Sequence, residues 1–211
     1  MLKQIINGRI LTPQGWLEGG SVIIDGNKIL AVSNSDLHIV NAQIIDAKGC
    51  YVVPGGVDLH VHGGGGRDFM EGTEEAFRVA IKAHMKHGTT SIFPTLSSST
   101  VPMIEAACET CQKLMEEENS PVLGLHLEGP YFNPKQAGAQ IPEWIKPPLA
   151  EEYEPLLDKY PCIKRWDEAP ELPGSVEFIQ SCRKHGVVAS IGHTRATYAD
   201  VVAGHNAGMM H

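Results

Sequence analysis

From Val57 onward the chain alternates short β-branched runs with amphipathic stretches, and that alternation most narrows what it can fold into. Residues 57–62, 90–94, 122–128, 163–166 and 187–191 read as strands, the fourth weakly. Residues 74–87, 101–118, 149–159, 175–185 and 196–207 read as helices, the first with Thr73 as N-cap and Gly88 as stop. Repeated strand–helix units give either a doubly wound sheet or a (β/α)8 barrel. Candidate metal donors decide between them. His60, His62, Glu128 and His193 all fall at the C-terminal ends of the first, third and fifth strands. A barrel gathers such ends around one mouth, whereas an open sheet strings them along a line. The expected fold is therefore α/β, an incomplete (β/α)8 TIM-type barrel of about five βα units. A complete barrel takes roughly 250 residues. Five strands and the start of a sixth at 209–211 cannot close, so the chain reads as the front part of a longer protein.

Residues 1–54 have a different texture, with short strands separated by turn residues. Asn7-Gly8 and the Asp25-Gly26-Asn27 run each sit between apolar runs and predict hairpin turns. The expected organisation is a small β region at 1–54, part of a β-sandwich, followed by the barrel segment at 55–211. The long stretch 129–148, rich in Pro and Gly, predicts a loop that covers a site.

A net charge of −8 argues against a nucleic-acid surface, which needs clustered Lys and Arg. Five cysteines are odd in number and scattered, and no signal peptide precedes them, which predicts a reduced, cytoplasmic protein. Cys108 and Cys111 read as packing residues. No apolar stretch is long enough to cross a membrane.

His60 and His62 are separated by one residue on a strand, so their imidazoles share a face. The bland reading is a pair of hydrogen-bonded core histidines. Two inward rings beside Asp58 and a glycine run are hard to satisfy without a cation, so the pair predicts divalent metal binding. Glu128 ends an apolar strand, where an ionised carboxylate needs a positive partner, and a metal supplies one. His126 shares its face and reads as a ligand or, by preference, as a residue that orients ligands. His193 follows Gly192 at a strand end, and its position agrees with the other donors. His84, His87 and His185 lie on or at the ends of helices, His38 and His205 carry no signal, and His211 stays unassigned. The 63–66 glycine run reads equally as an anion cradle or as a flexible loop that leaves room beside a metal. The 97–100 run reads as a loop and helix cap. His, His and Glu donors suit Zn, Fe, Mn, Co or Ni, in one or two ions.

These motifs carry a resemblance. The stretch 54–63 (Pro-Gly-Gly-Val-Asp-Leu-His-Val-His-Gly) resembles the first barrel strand of the amidohydrolase superfamily. Within it, His126-Leu127-Glu128-Gly129-Pro130, then Gly138-Ala139-Gln140, then Gly192-His193-Thr194-Arg195-Ala196-Thr197 resemble the N-acetylglucosamine-6-phosphate deacetylases, over essentially the whole chain. The resemblance implies deacetylation of an amino-sugar phosphate in amino-sugar catabolism. It implies that Glu128 and His193 are metal ligands and that His60 and His62 ligate a second metal position found in some members. Ala139 and Gln140 fall where the family's loop touches the sugar. It also implies a homodimer, a further histidine ligand and an aspartate general acid/base beyond residue 211, and no catalytic residue within the chain. A galactosamine preference differs by one hydroxyl. A dihydroorotase or hydantoinase would use a carboxylated lysine on the fourth strand, for which Lys164 is the nearby candidate. A non-catalytic sugar-phosphate or metal-binding module is the reading from another class.

Overall fold

The computed structural model describes residues 1–35, 37 and 39–211, so His38 lies outside the described residues. The chain divides into two compact units, Met1–Gly55 and Gly56–His211.

The first unit is a five-stranded sheet. Strands β1 (Leu2–Thr12), β2 (Gly15–Asp25) and β3 (Lys28–Ser33) form an antiparallel meander, while β4 (Gln43–Asp46) and β5 (Tyr51–Val52) pair parallel to β1. The turn between β2 and β3 falls at Gly26-Asn27, as the turn residues predict. Asn7-Gly8 does not form a hairpin. The first turn comes at Pro13-Gln14, and Asn7-Gly8 lies inside β1, where the register with β2 shifts. Asn7 has φ 57°, a conformation that serves a bulge as well as a tight turn. Gly8 is held by proximity, since a Cβ there would come within 2.5 Å of Val52 Cγ2.

The second unit is a parallel sheet in the order β6-β9-β10-β11-β12, curled as a half-barrel. Its strands are β6 (Gly56–Val61), β9 (Thr89–Leu96), β10 (Leu125–Glu128), β11 (Ile163–Glu168) and β12 (Val188–Ile191). Helices α1 (Glu74–Met85), α2 (Val101–Met115), α3 (Ala150–Lys159) and α4 (Ser175–Lys184) connect them, and α5 (Tyr198–Ala207) follows β12. The 63–66 glycines form neither a cradle nor a free loop. Gly63–Gly64 (β7) pairs with Arg67–Asp68 (β8) in a ribbon turned by Gly65 and Gly66, both at positive φ. A Cβ on Gly63 would lie 2.1 Å from the Arg67 carbonyl oxygen, so only glycine permits this pairing.

The apolar core lies between the sheet and its helices. Leu125 and Leu127 of β10 and Trp166 of β11 are fully buried, and Trp166 stacks on Tyr131 at 5.5 Å with Phe178 edge-on to both. Trp166 Nε1–H donates to the Gly129 carbonyl at 2.9 Å, which ties the turn after β10 to β11. Alternation then places Glu128 and Asp167 side by side, because the parallel register pairs those two residues at the C-terminal ends of their strands. After α5 the chain turns back to the sheet: Met210 N–H donates to the Ala189 carbonyl, and Ile191 N–H to that of His211.

Candidate metal centre

Four of the residues that the sequence singles out converge at the C-terminal ends of the strands. His60 Nε2 and His62 Nε2 stand 3.0 Å apart, and Glu128 Oε2 lies 3.1 Å from His62 Nε2. Glu128 Oε1 lies 3.5 Å from His60 Nε2 and 3.2 Å from His193 Nε2, so the carboxylate separates the histidine pair from His193. The carboxylate is buried, while each histidine keeps part of its ring open to solvent.

Each donor is held from behind. Ser97 Oγ bonds to His62 Nδ1 at 3.2 Å, which turns His62 Nε2 into the site. His193 Nδ1–H donates to the Gln136 carbonyl at 2.8 Å, and the His193 carbonyl accepts from Asn133 N–H. His193 adopts φ 45°, a strained conformation for a residue with a Cβ, and these bonds fix it. Gln140 is buried rather than open to solvent. Its Nε2–H donates to Glu128 Oε2 at 2.8 Å, and its Oε1 accepts from Ser98 N–H. Ala139 is exposed beside it.

The electrostatics are those of a carboxylate caged by imidazoles. Burial pushes the Glu128 carboxyl up, but the His62 bond, the two neighbouring histidines and Gln140 outweigh it and hold the pKa at about 2. The Glu128 bond raises His62, whereas burial lowers His60. Two imidazole nitrogens 3.0 Å apart repel unless one carries a proton or both face a cation. Tetrahedral bonds of 2.0–2.1 Å place donor atoms roughly 3.3 Å apart, close to the separations among His60, His62 and Glu128. The donor set therefore fits a divalent cation, and ligand atoms of these three residues all lie within 4.8 Å of one another.

A second cluster was not legible from residue spacing. His126 and Asp167 are both buried, and together with His60 their ligand atoms also lie within 4.8 Å of one another. Burial pushes Asp167 up, but His126, Arg165 and Ser190 bring it below the usual carboxylate range. Lys164 stands near the N-terminal end of β11, remote from these donors along the strand, so it does not supply a fourth-strand bridge.

Comparison with known proteins agrees with this architecture. Residues 51–211 match the amidohydrolase family model. The chain is 32% identical over 209 residues to the N-acetylglucosamine-6-phosphate deacetylase of Bacillus subtilis, covering 96% of this chain and 53% of the relative. It is 29% identical to an N-acetylgalactosamine-6-phosphate deacetylase of Escherichia coli O157:H7, covering 95% and 52%. A crystal structure of N-acetylglucosamine-6-phosphate deacetylase from Pasteurella multocida superposes with a TM-score of 0.91 at 29% identity, covering 99% of this chain and 55% of that one. The chain thus spans about half the length of the curated relatives it matches.

Proposed function

This chain belongs to the amidohydrolase family, and from that premise we propose that it is part of a metal-dependent amide hydrolase that removes acetate from N-acetyl-D-glucosamine 6-phosphate. The observation that carries the reading is the convergence of His60, His62, Glu128 and His193 at one end of the parallel sheet. The similarity to deacetylases of that substrate across nearly the whole chain supports it.

An amide needs a strong nucleophile and a proton for the departing amine. A divalent ion, when bound, supplies an acidified water and polarises the acetyl carbonyl. The chain's own residues prepare for it. Glu128 stays ionised at any physiological pH and offers an oxygen on each side, one toward the His60/His62 pair and one toward His193. Ser97, Gln136 and Gln140 fix the donor atoms in direction, the task of residues that surround a metal site. Ala139 lies on the loop beside Gln140, and we assign it to sugar contact; Gln140 joins that contact while holding Glu128. The proton-transfer aspartate, a second subunit and a place in amino-sugar catabolism belong to the same proposal. The galactosamine-6-phosphate reading has its own support in the Escherichia coli relative. Parallel assays on the two epimers separate them.

The test is Glu128→Gln in the full-length protein. We expect the ion held by Glu128 to be lost, so that bound metal falls by at least one equivalent, and deacetylation to drop by at least a thousandfold, with the folded state retained. Metal content and turnover at wild-type levels would remove the proposal.

A further inference from the structure

Among the described residues His126 is the one buried histidine, and the proposed reaction leaves it unused. It is fully buried on β10, two residues before Glu128, with its ring 4.8 Å from that of His60. Thr95 Oγ–H donates to the Phe93 carbonyl, and the same oxygen accepts from Val61 N–H. With its proton committed, Thr95 Oγ can only accept from His126 Nδ1–H, at 3.1 Å. A neutral His126 then carries its proton on Nδ1 and presents a bare lone pair at Nε2. That nitrogen has no hydrogen-bond partner among the described residues. Asp167 Oδ2 stands 3.1 Å away, an ion-pair distance should the ring take a second proton. Arg165 Nε–H donates to the other oxygen, Oδ1, at 3.0 Å, and Arg165 Nη2–H donates to Oδ2 at a longer 3.4 Å, so Oδ2 keeps a lone pair for a contact on the ring's side.

A lone pair facing a carboxylate oxygen in a buried space is repulsive. A cation between them makes it attractive. From this juxtaposition we propose that His126 and Asp167 are metal ligands and that, with His60, they form a second, inner cation position behind the His62–Glu128 position. Two imidazoles and one carboxylate suit a first-row divalent ion such as Zn or Co. A single imidazole nitrogen serves one ion, so His60 is the residue the two positions share. When the inner position takes it, the outer one keeps His62 and Glu128 and gains open coordination sites. The inference rests on the proposed metal-dependent reading of the outer site but stands on different residues.

The experiment uses cobalt(II) and zinc(II) added to metal-stripped protein, with bound metal counted by elemental analysis. Wild type should hold one equivalent more than Asp167→Asn or His126→Gln, while Glu128→Gln should keep the inner ion. In Asp167→Cys, cobalt(II) should add a thiolate-to-cobalt charge-transfer band absent from wild type and from Asp167→Ser. That gain of signal does not depend on a variant losing metal by misfolding. Equal metal content in wild type, Asp167→Asn and His126→Gln, with no new band in Asp167→Cys, overturns the inner position. Loss of metal in Glu128→Gln alone would leave the hydrolase reading standing without it. Loss in the Asp167 and His126 variants alone would support the inner position and count against the outer one.

Discussion

Glu168 neighbours Asp167 in the chain and meets the opposite fate, because successive side chains on a strand face opposite ways. Asp167 joins the site, whereas Glu168 is fully buried with neither carboxylate oxygen hydrogen-bonded among the described residues. The Ser175 hydroxyl donates to the Ala169 carbonyl instead. Burial is the dominant cause that pushes the Glu168 pKa up to about 8. A carboxyl whose folded pKa lies above its unfolded value near 4.5 binds more protons when folded, so it erodes stability as pH rises between those values. The erosion is complete above pH 8. Glu168→Gln removes the titration while keeping the shape. We expect little difference in melting temperature at pH 5 and a gain on the order of 5 °C for the variant at pH 8.5, equivalent to about 2 kcal/mol for a chain of this size. Thermal melts at the two pH values check this, and equal melting temperatures at pH 8.5 would show that Glu168 has a partner when ionised.

At the scale of elements, the loops after β10, β11 and β12 are joined by one carboxylate. Glu171 accepts from Asn133 Nδ2–H at 2.9 Å and Arg195 N–H at 2.7 Å, and from the Thr194 hydroxyl. Burial pushes it up, but the Thr194 and Arg195 bonds hold it ionised. This clamp grips the two residues after His193 and the loop that contains Gln136 and Gln140. Glu171→Ala should therefore lower zinc affinity about tenfold while far-ultraviolet circular dichroism stays unchanged. Isothermal titration reads the affinity, and a wild-type value would show that His193 does not depend on the clamp. Such couplings explain what was legible in advance. The His60/His62 face follows from strand alternation alone, and the position of Glu128 and His193 at strand ends follows from apolar runs that stop. Asp167, Ser97 and Glu171 become visible only once neighbouring strands and their register are known, since no local pattern says that Glu128 sits opposite Asp167. Asn7-Gly8 failed as a turn for a related reason: its left-handed backbone is needed by a bulge too, and pairing with β2 on both sides decides which forms.

At the scale of the second unit, a curled sheet of five strands has two edges and one exposed inner surface. Among the described strands, β6 pairs only with β9, and β12 pairs only with β11, its far side met just by Met210 and His211. Leu59, Phe93, Val188 and His211 line a cavity with Lys164 and Arg165, and Val57 and Leu59 are 58% and 46% exposed. Unpaired strand edges beside exposed apolar residues template association. The 211-residue chain by itself should therefore self-associate at micromolar concentrations, and Leu59→Lys, which places a charge on that surface, should shift it at least tenfold toward monomer. Sedimentation velocity across a concentration series reads both. Ionic strength separates the causes, because salt screens the introduced lysine charge and so restores association in the variant, whereas pairing of wild-type backbone edges responds little. A wild-type chain that stays monomeric at every concentration would mean that the open face is covered from within the chain.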